Sequence, residues 1–190
     1  INDLCREAAA GYPQELNATT AIDAVIEYIF DRQKAYYQEQ GIRFDVVDAV
    51  VYDHPGSLYD CDLRIHALQE FQSHEAAVAL AAANKRITNI LRKQSQEISE
   101  VDPALLQEEA EKALYQQIKS LDTSVSGLFA EARYLEGLEQ LAQLRPAVDR
   151  FFDEVMVMSE DPALQNNRLA LLDQLLQSFR QVADFSRIQS

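Results

Sequence analysis

Tryptophan is absent from the 190 residues, and glycine, proline and cysteine are scarce, at five, five and two. So few chain-breakers argue against a fold of many short strands joined by turns and favour long helices. The two cysteines, Cys5 and Cys61, lie far apart in no metal-ligand spacing, so they read as reduced thiols of a cytosolic protein. Although 47% of the residues are apolar, no apolar run reaches the roughly 20 residues a membrane span needs. The start, Ile1-Asn2-Asp3-Leu4, lacks a basic segment followed by an apolar stretch, so no signal peptide is expected. It also lacks an initiator Met, as expected of a piece cut from a longer protein.

Catalytic equipment is equally thin. The glycines at 11, 41, 56, 127 and 137 are isolated, which excludes a Gly-rich phosphate loop. Three histidines, His54, His66 and His74, are the only metal or base candidates. His66 and Glu70 are four apart and could share a helix face, and His74 falls at a helix junction. A hydrolytic metal site needs a tighter cluster, so surface or capping roles are expected for all three. Neither cysteine has a nucleophile context. Carboxylate pairs abound, but in so acidic a chain they read as solvated surface. No catalytic residue, metal or cofactor is expected in this chain.

Basic residues are also in deficit, 17 against 31 acids, for a net charge of −14. That balance repels phosphate, so any nucleic-acid contact must come from a local basic cluster.

What is present is helical periodicity. A short helix is expected within 1–12. Between Ala21 and Gln40, Ile22, Val25, Ile26, Ile29, Tyr36 and Tyr37 recur at helical spacing, and Gly41 supplies a stop. A shorter helix over Arg43–Val51 precedes the turn Tyr52-Asp53-His54-Pro55-Gly56. Helices over Leu58–Gln72 and Glu75–Gln94 follow, the second with Ala77, Leu80, Asn84, Ile87 and Leu91 on one inward stripe. A structural hydrogen bond inside the bundle is the expected job of Asn84.

Asp102-Pro103 is a cap followed by Pro at the first helical position and predicts a helix to about Leu121. Another is expected over Val125–Leu144, a third from Arg145-Pro146 to Met156, and a last one after Asp161-Pro162. The last carries Leu169, Leu172, Leu175, Leu176, Phe179 and Val182 inward. No stretch alternates with period two and no repeat is found. The fold class is therefore all-α, a helical bundle of about eight helices.

One composition shift stands out. Lys85, Arg86, Arg92 and Lys93 fall between Asn84 and Gln94 with no acid among them, ahead of the acid-rich stretch Glu97–Glu111. On a helix, Lys85, Asn89 and Arg92 share a face that overlaps Arg86, Asn89 and Lys93, giving a four-charge basic strip centred on an amide. Two readings stay open: a phosphate grip, or pairing with the acids downstream.

Two segments resemble a known family. They are Ala81-Ala82-Ala83-Asn84-Lys85-Arg86-Ile87-Thr88-Asn89-Ile90-Leu91 and Val148-Asp149-Arg150-Phe151-Phe152-Asp153-Glu154-Val155-Met156-Val157-Met158. The second continues through Asp161 and Asn167-Arg168-Leu169. Both look like the C-terminal region of the bacterial glycyl-tRNA synthetase β subunit, and the stretch from Gln38 to Val50 is similar to that family's upstream helices. The resemblance spans roughly residues 28 to 185, in matching order.

The resemblance implies a helical anticodon-binding domain of the type shared with arginyl-tRNA synthetases. That type is named for an Asp-Ala-Leu-Arg signature which this sequence lacks. It implies residues 1–56 as a helical segment linking to the preceding part of the subunit, and 57–190 as the anticodon-binding bundle. The implied partners are glycine tRNA, an α subunit of an α2β2 synthetase and the rest of the β subunit, in the cytoplasm. ATP and Mg would be used at the α subunit, leaving this chain non-catalytic.

The residues that would meet RNA are Lys85, Arg86, Asn89, Arg92 and Lys93, with Asn167 and Arg168 as a second set. Pairing of Arg168 with a nearby acid is an equal alternative. Phe151 and Phe152 are candidates for base stacking, but with Met156 and Met158 they are expected to pack in the core. The competing reading is a docking module within the synthetase that touches no RNA.

Overall fold

Local signals decide where the helices begin. Ser57 accepts from the Asp60 amide and Asp161 from the Ala163 amide, each capping the helix it precedes. In the computed structural model, which describes residues 1–13, 16–52, 55–94 and 98–189, nine α-helices and no strand occur among the described residues. They are α1 (Asn2–Ala10), α2 (Ile22–Glu39), α3 (Phe44–Val51), α4 (Leu58–Phe71), α5 (Ala77–Leu91), α6 (Glu109–Ala130), α7 (Tyr134–Ala142), α8 (Arg145–Glu154) and α9 (Pro162–Arg180). Short 3-10 turns at Ala18–Ala21, Pro103–Leu105 and Phe185–Arg187 complete the order. Asp53 and His54 of the expected turn, and Glu97 at the head of the acidic stretch, lie outside the described residues.

The all-α class is as expected, and most helices fall where periodicity puts them. The stretch from 102 to 144 does not. Asp102-Pro103 caps only a 3-10 turn, because Leu106 turns extended directly after it. The helix starts later, at Glu109, where Glu111 reaches back to the amides of Gln107 and Glu108 at 2.8 Å. It then runs unbroken through the polar stretch near Leu121, because Ile118, Val125 and Phe129 are all buried on one face. The break comes at Ala132, which adopts a left-handed φ of 58° without a glycine to announce it. In α2, Ile26, Phe30 and Tyr37 face inward, while Val25 and Tyr36, expected inside, are exposed.

The core is built around α9, whose Leu171, Leu172, Leu175, Leu176 and Phe179 are buried against α5, α6 and α7. The chain then folds back: Val182, Ala183, Phe185 and Ile188 are buried, and the turn at Phe185–Arg187 packs on α3 and α5. The Phe185 ring lies 5.0 Å from Phe179 and 6.2 Å from Phe71, and His74 stacks on Phe71 at 5.3 Å. Helix α3, with Val46, Val47, Val50 and Val51 buried, packs on α4 and this returning segment. Packing thus runs across the boundary expected after Gly56. Helix α1 and the start of α2 pack on each other at the edge of this core, which they meet through the partly buried Cys5 and Ile22.

Candidate nucleic-acid interface

Helix α5 has two opposed faces. Ala77, Leu80, Ala81, Asn84 and Ile87 point inward, where Asn84 donates from Nδ2 to the Leu80 carbonyl at 2.9 Å. The opposite face, continued one turn past the helix end, presents Lys85, Arg86, Asn89, Arg92 and Lys93, all exposed. Among the described residues, none of these four cations takes part in an ion pair, although twelve other lysine or arginine pairs with acids are formed. Of the two readings of the strip, pairing with downstream acids is not what the described residues adopt.

The strip borders a shallow groove of about 780 Å³, lined by Arg86, Asn89, Ile90, Lys93 and Gln94 with Met158 across from them. Arg86 lays its guanidinium over the Phe152 ring, 4.1 Å from the centroid, which fixes a planar cation at the edge of the groove. Phe152 is half-buried beneath it, while its neighbour Phe151 is fully buried, as expected of a core residue.

Met156 and Met158 are not core residues: they are 74% and 52% exposed. Helix α8 ends at Glu154 and Val155 is extended, so side chains alternate with period two. Val155 and Val157 therefore take the inner places, and the methionines face out. A helical reading through Met156 could not have seen this switch of period.

Asn167 and Arg168 are also displaced from their expected role. Both are buried on α9. Asn167 accepts from the Asp102 amide at 2.7 Å and donates to the Asp102 carbonyl at 3.0 Å. Arg168 pairs with Glu111 at 2.5 Å and donates to the Met156 carbonyl at 2.9 Å. Their polar atoms hold the bundle together, so the intramolecular alternative describes Arg168 and the surface strip is α5 alone.

The remaining candidates within the described residues make contacts inside the bundle. His66 sits 2.9 Å from the Asp62 carbonyl, paired back toward Asp62 rather than forward to Glu70. His74 accepts the Ala76 amide at its Nδ1, a junction role. Burial pushes the Cys61 thiol up to about 12, so it stays protonated at neutral pH. No group of three His, Cys, Asp or Glu side chains converges in metal geometry among the described residues.

The chain is 44% identical, over its full length, to the glycine–tRNA ligase β subunit of Actinobacillus pleuropneumoniae serotype 7. It is 45% identical to that of Pectobacterium atrosepticum, again over its full length, and 46% identical to that of Aeromonas salmonicida over 98% of the chain. It spans 27–28% of the length of these relatives. The family profile described as the DALR anticodon binding domain matches residues 80–186, which include most of α5 with its basic strip, the α8–α9 loop and the start of the returning C-terminal turn. With more than half of its length matched and the fold all-helical, the chain belongs to the DALR anticodon binding domain family.

Proposed function

We propose that this chain is the anticodon-recognition part of a glycyl-tRNA synthetase β subunit. It grips the anticodon end of glycine tRNA while the acceptor end reaches an active site on the α subunit of an α2β2 assembly in the cytoplasm. ATP and Mg act at that α subunit, and no residue of this chain takes part in the chemistry. The observation that carries this reading is the exposed cationic face of α5, free of ion pairs among the described residues, in a chain whose net charge is −14.

That contrast orients the RNA. Phosphate is repelled by most of the surface and attracted by Lys85, Arg86, Arg92 and Lys93, so the backbone has one favourable place to lie. Single-stranded loops are read by splaying bases onto aromatic or arginine planes and bonding their edges. Glycine codons begin with two guanines, so the bases to be read are cytosines, whose exocyclic amine needs an acceptor. Asn89, at the centre of the strip, supplies one.

The test is binding of glycine tRNA to the full enzyme, wild type against Lys85→Glu/Arg86→Glu, across a salt series. The expected result is a weaker complex whose log–log salt slope is shallower by about 1 to 2, from lost phosphate contacts. Unchanged affinity and slope in a folded variant would take α5 off the RNA.

A second role belongs to the N-terminal helices. Helix α1 buries none of its residues, Tyr12, Leu16 and Val25 are exposed around an apolar groove between α1 and α2, and Leu4 and Tyr28 on the same two helices are exposed as well. This is the face that docks on the rest of the β subunit, which in the relatives is over two-thirds of the length.

A further inference from the structure

The basic strip does not end on its own helix. Arg92, at its C-terminal edge, also lines a pocket of about 480 Å³ on the other side of α5. The opposite walls come from the end of α9, with Asp173 and Arg180, from the returning turn, with Arg187, and from Tyr52 after α3. Distant parts of the chain meet here only because the C-terminal segment folds back onto α3 and α5.

The pocket combines three kinds of group. Arg187 stacks its guanidinium on the Tyr52 ring, 3.3 Å from the centroid, and its Nη1 donates to Asp48 at 2.6 Å, which locks the plane. The Tyr52 ring is still half exposed. Arg92 and Arg180 are exposed and, among the described residues, in no ion pair. Among the described residues, the Asp173 carboxylate accepts only from Gln177, at 3.4 Å, and so keeps acceptor capacity toward the pocket. In addition, Thr88 on the wall has a buried hydroxyl with no hydrogen-bond partner among the described residues, whereas a helical Thr usually bonds the carbonyl four residues back.

We infer that this pocket receives one unstacked nucleotide of the bound RNA, its base against the Tyr52–Arg187 platform and its phosphate between Arg92 and Arg180. Asp173 accepts the exocyclic amine of that base, which selects cytosine over uracil. The inference rests on the RNA-binding reading and extends it: α5 holds the backbone, and the pocket beside it takes the base. A flat stack, a pair of exposed cations and a carboxylate with acceptor capacity match the base plane, the phosphate and the exocyclic amine of a cytidine nucleotide. A simple anion would have no use for the ring, and an apolar ligand none for the arginines.

The experiment uses the full enzyme and glycine tRNA transcripts, with fold checked by circular dichroism. Tyr52→Ala and Arg180→Ala are each expected to weaken binding by roughly ten-fold, the scale of one lost base stack or phosphate contact. Tyr52→Phe keeps the ring and is expected to bind as wild type. With uridine placed for cytosine in the anticodon, wild type discriminates, and Asp173→Ala is expected to lose that discrimination at one position. Lys85→Glu/Arg86→Glu is run in parallel. If that variant weakens binding while Tyr52→Ala and Arg180→Ala do not, the pocket is not a nucleotide site although the RNA-binding reading stands. If all bind as wild type, both are overturned.

Discussion

Nε of Arg168 lies 2.5 Å from Oε1 of Glu111, with the two side chains 8% and 1% exposed. The other carboxylate oxygen of Glu111 accepts the amides of Gln107 and Glu108, and Nη1 of Arg168 donates to the Met156 carbonyl. One buried link thereby ties together the start of α6, the middle of α9 and the loop that carries Met158 to the groove.

Removing one partner strands the other as a buried charge, which costs far more than the net value of the pair. Arg168→Leu is therefore expected to destabilise by about 3–5 kcal/mol. The measurement is a fall in the urea midpoint at unchanged slope. Below the unfolding range, glycine tRNA binding by the full enzyme should match wild type, since Arg168 is buried and its polar atoms are taken up inside the bundle. The double variant Arg168→Leu/Glu111→Leu should recover part of the loss, because no lone charge is left. Full stability in Arg168→Leu would show that the link does not hold these elements.

The basic strip was legible in the sequence because both sides of α5 follow from one period. Once Leu80, Asn84 and Ile87 are placed inward, Lys85, Asn89 and Arg92 must face out. Asn167 was not legible as a structural group, and pairing with an acid was only one of two equal readings of Arg168, since their partners lie 65 and 57 positions away and only the packed bundle brings them together. The end of α6 was hidden for a different reason. Polar residues around Leu121 signal a break, but burial of Val125 and Phe129 overrides that propensity, and Ala132 turns left-handed where no glycine marks it. The Tyr52–Arg187 stack was beyond reach too, because it depends on the last turn of the chain returning to α3.

Two glycines in neighbouring helices are expected to respond to alanine with opposite sign. A Cβ at Gly127 would meet nothing within 4 Å, so Gly127→Ala should gain roughly 0.5–1 kcal/mol from helix propensity. At Gly137 a Cβ would stand 2.2 Å from Cε1 of Phe129, a buried ring also packed against Tyr134. Overpacking of that kind costs about 1–3 kcal/mol and outweighs the propensity gain. Thermal melts should show a higher midpoint for Gly127→Ala and a lower one for Gly137→Ala. Phe129→Leu should relieve the second variant, and failure to do so would mean the ring yields without strain.

Acid should release the C-terminal segment first. Asp48 accepts Arg187 at 2.6 Å and pairs with Lys34 at 3.1 Å, while Asp45 accepts from Arg43 and from the Gln189 amide at 2.7 Å. Burial alone would raise both carboxyls, but these hydrogen bonds and neighbouring cations outweigh it and hold both below the usual 3.8. A carboxyl depressed in the folded state adds stability that is complete above 3.8 and is lost as pH falls through the lower folded value. Urea midpoints taken between pH 5 and pH 2.5 should therefore fall for the parent protein. Asp48→Asn should start lower and fall less steeply, because its share of the proton linkage is already gone; parallel curves would mean Asp48 carries none of it. Since the same segment brings Arg187 onto Tyr52, exposure of the Tyr52 ring, read by its fluorescence quenching against a Tyr52→Phe control, should rise in the same acid window.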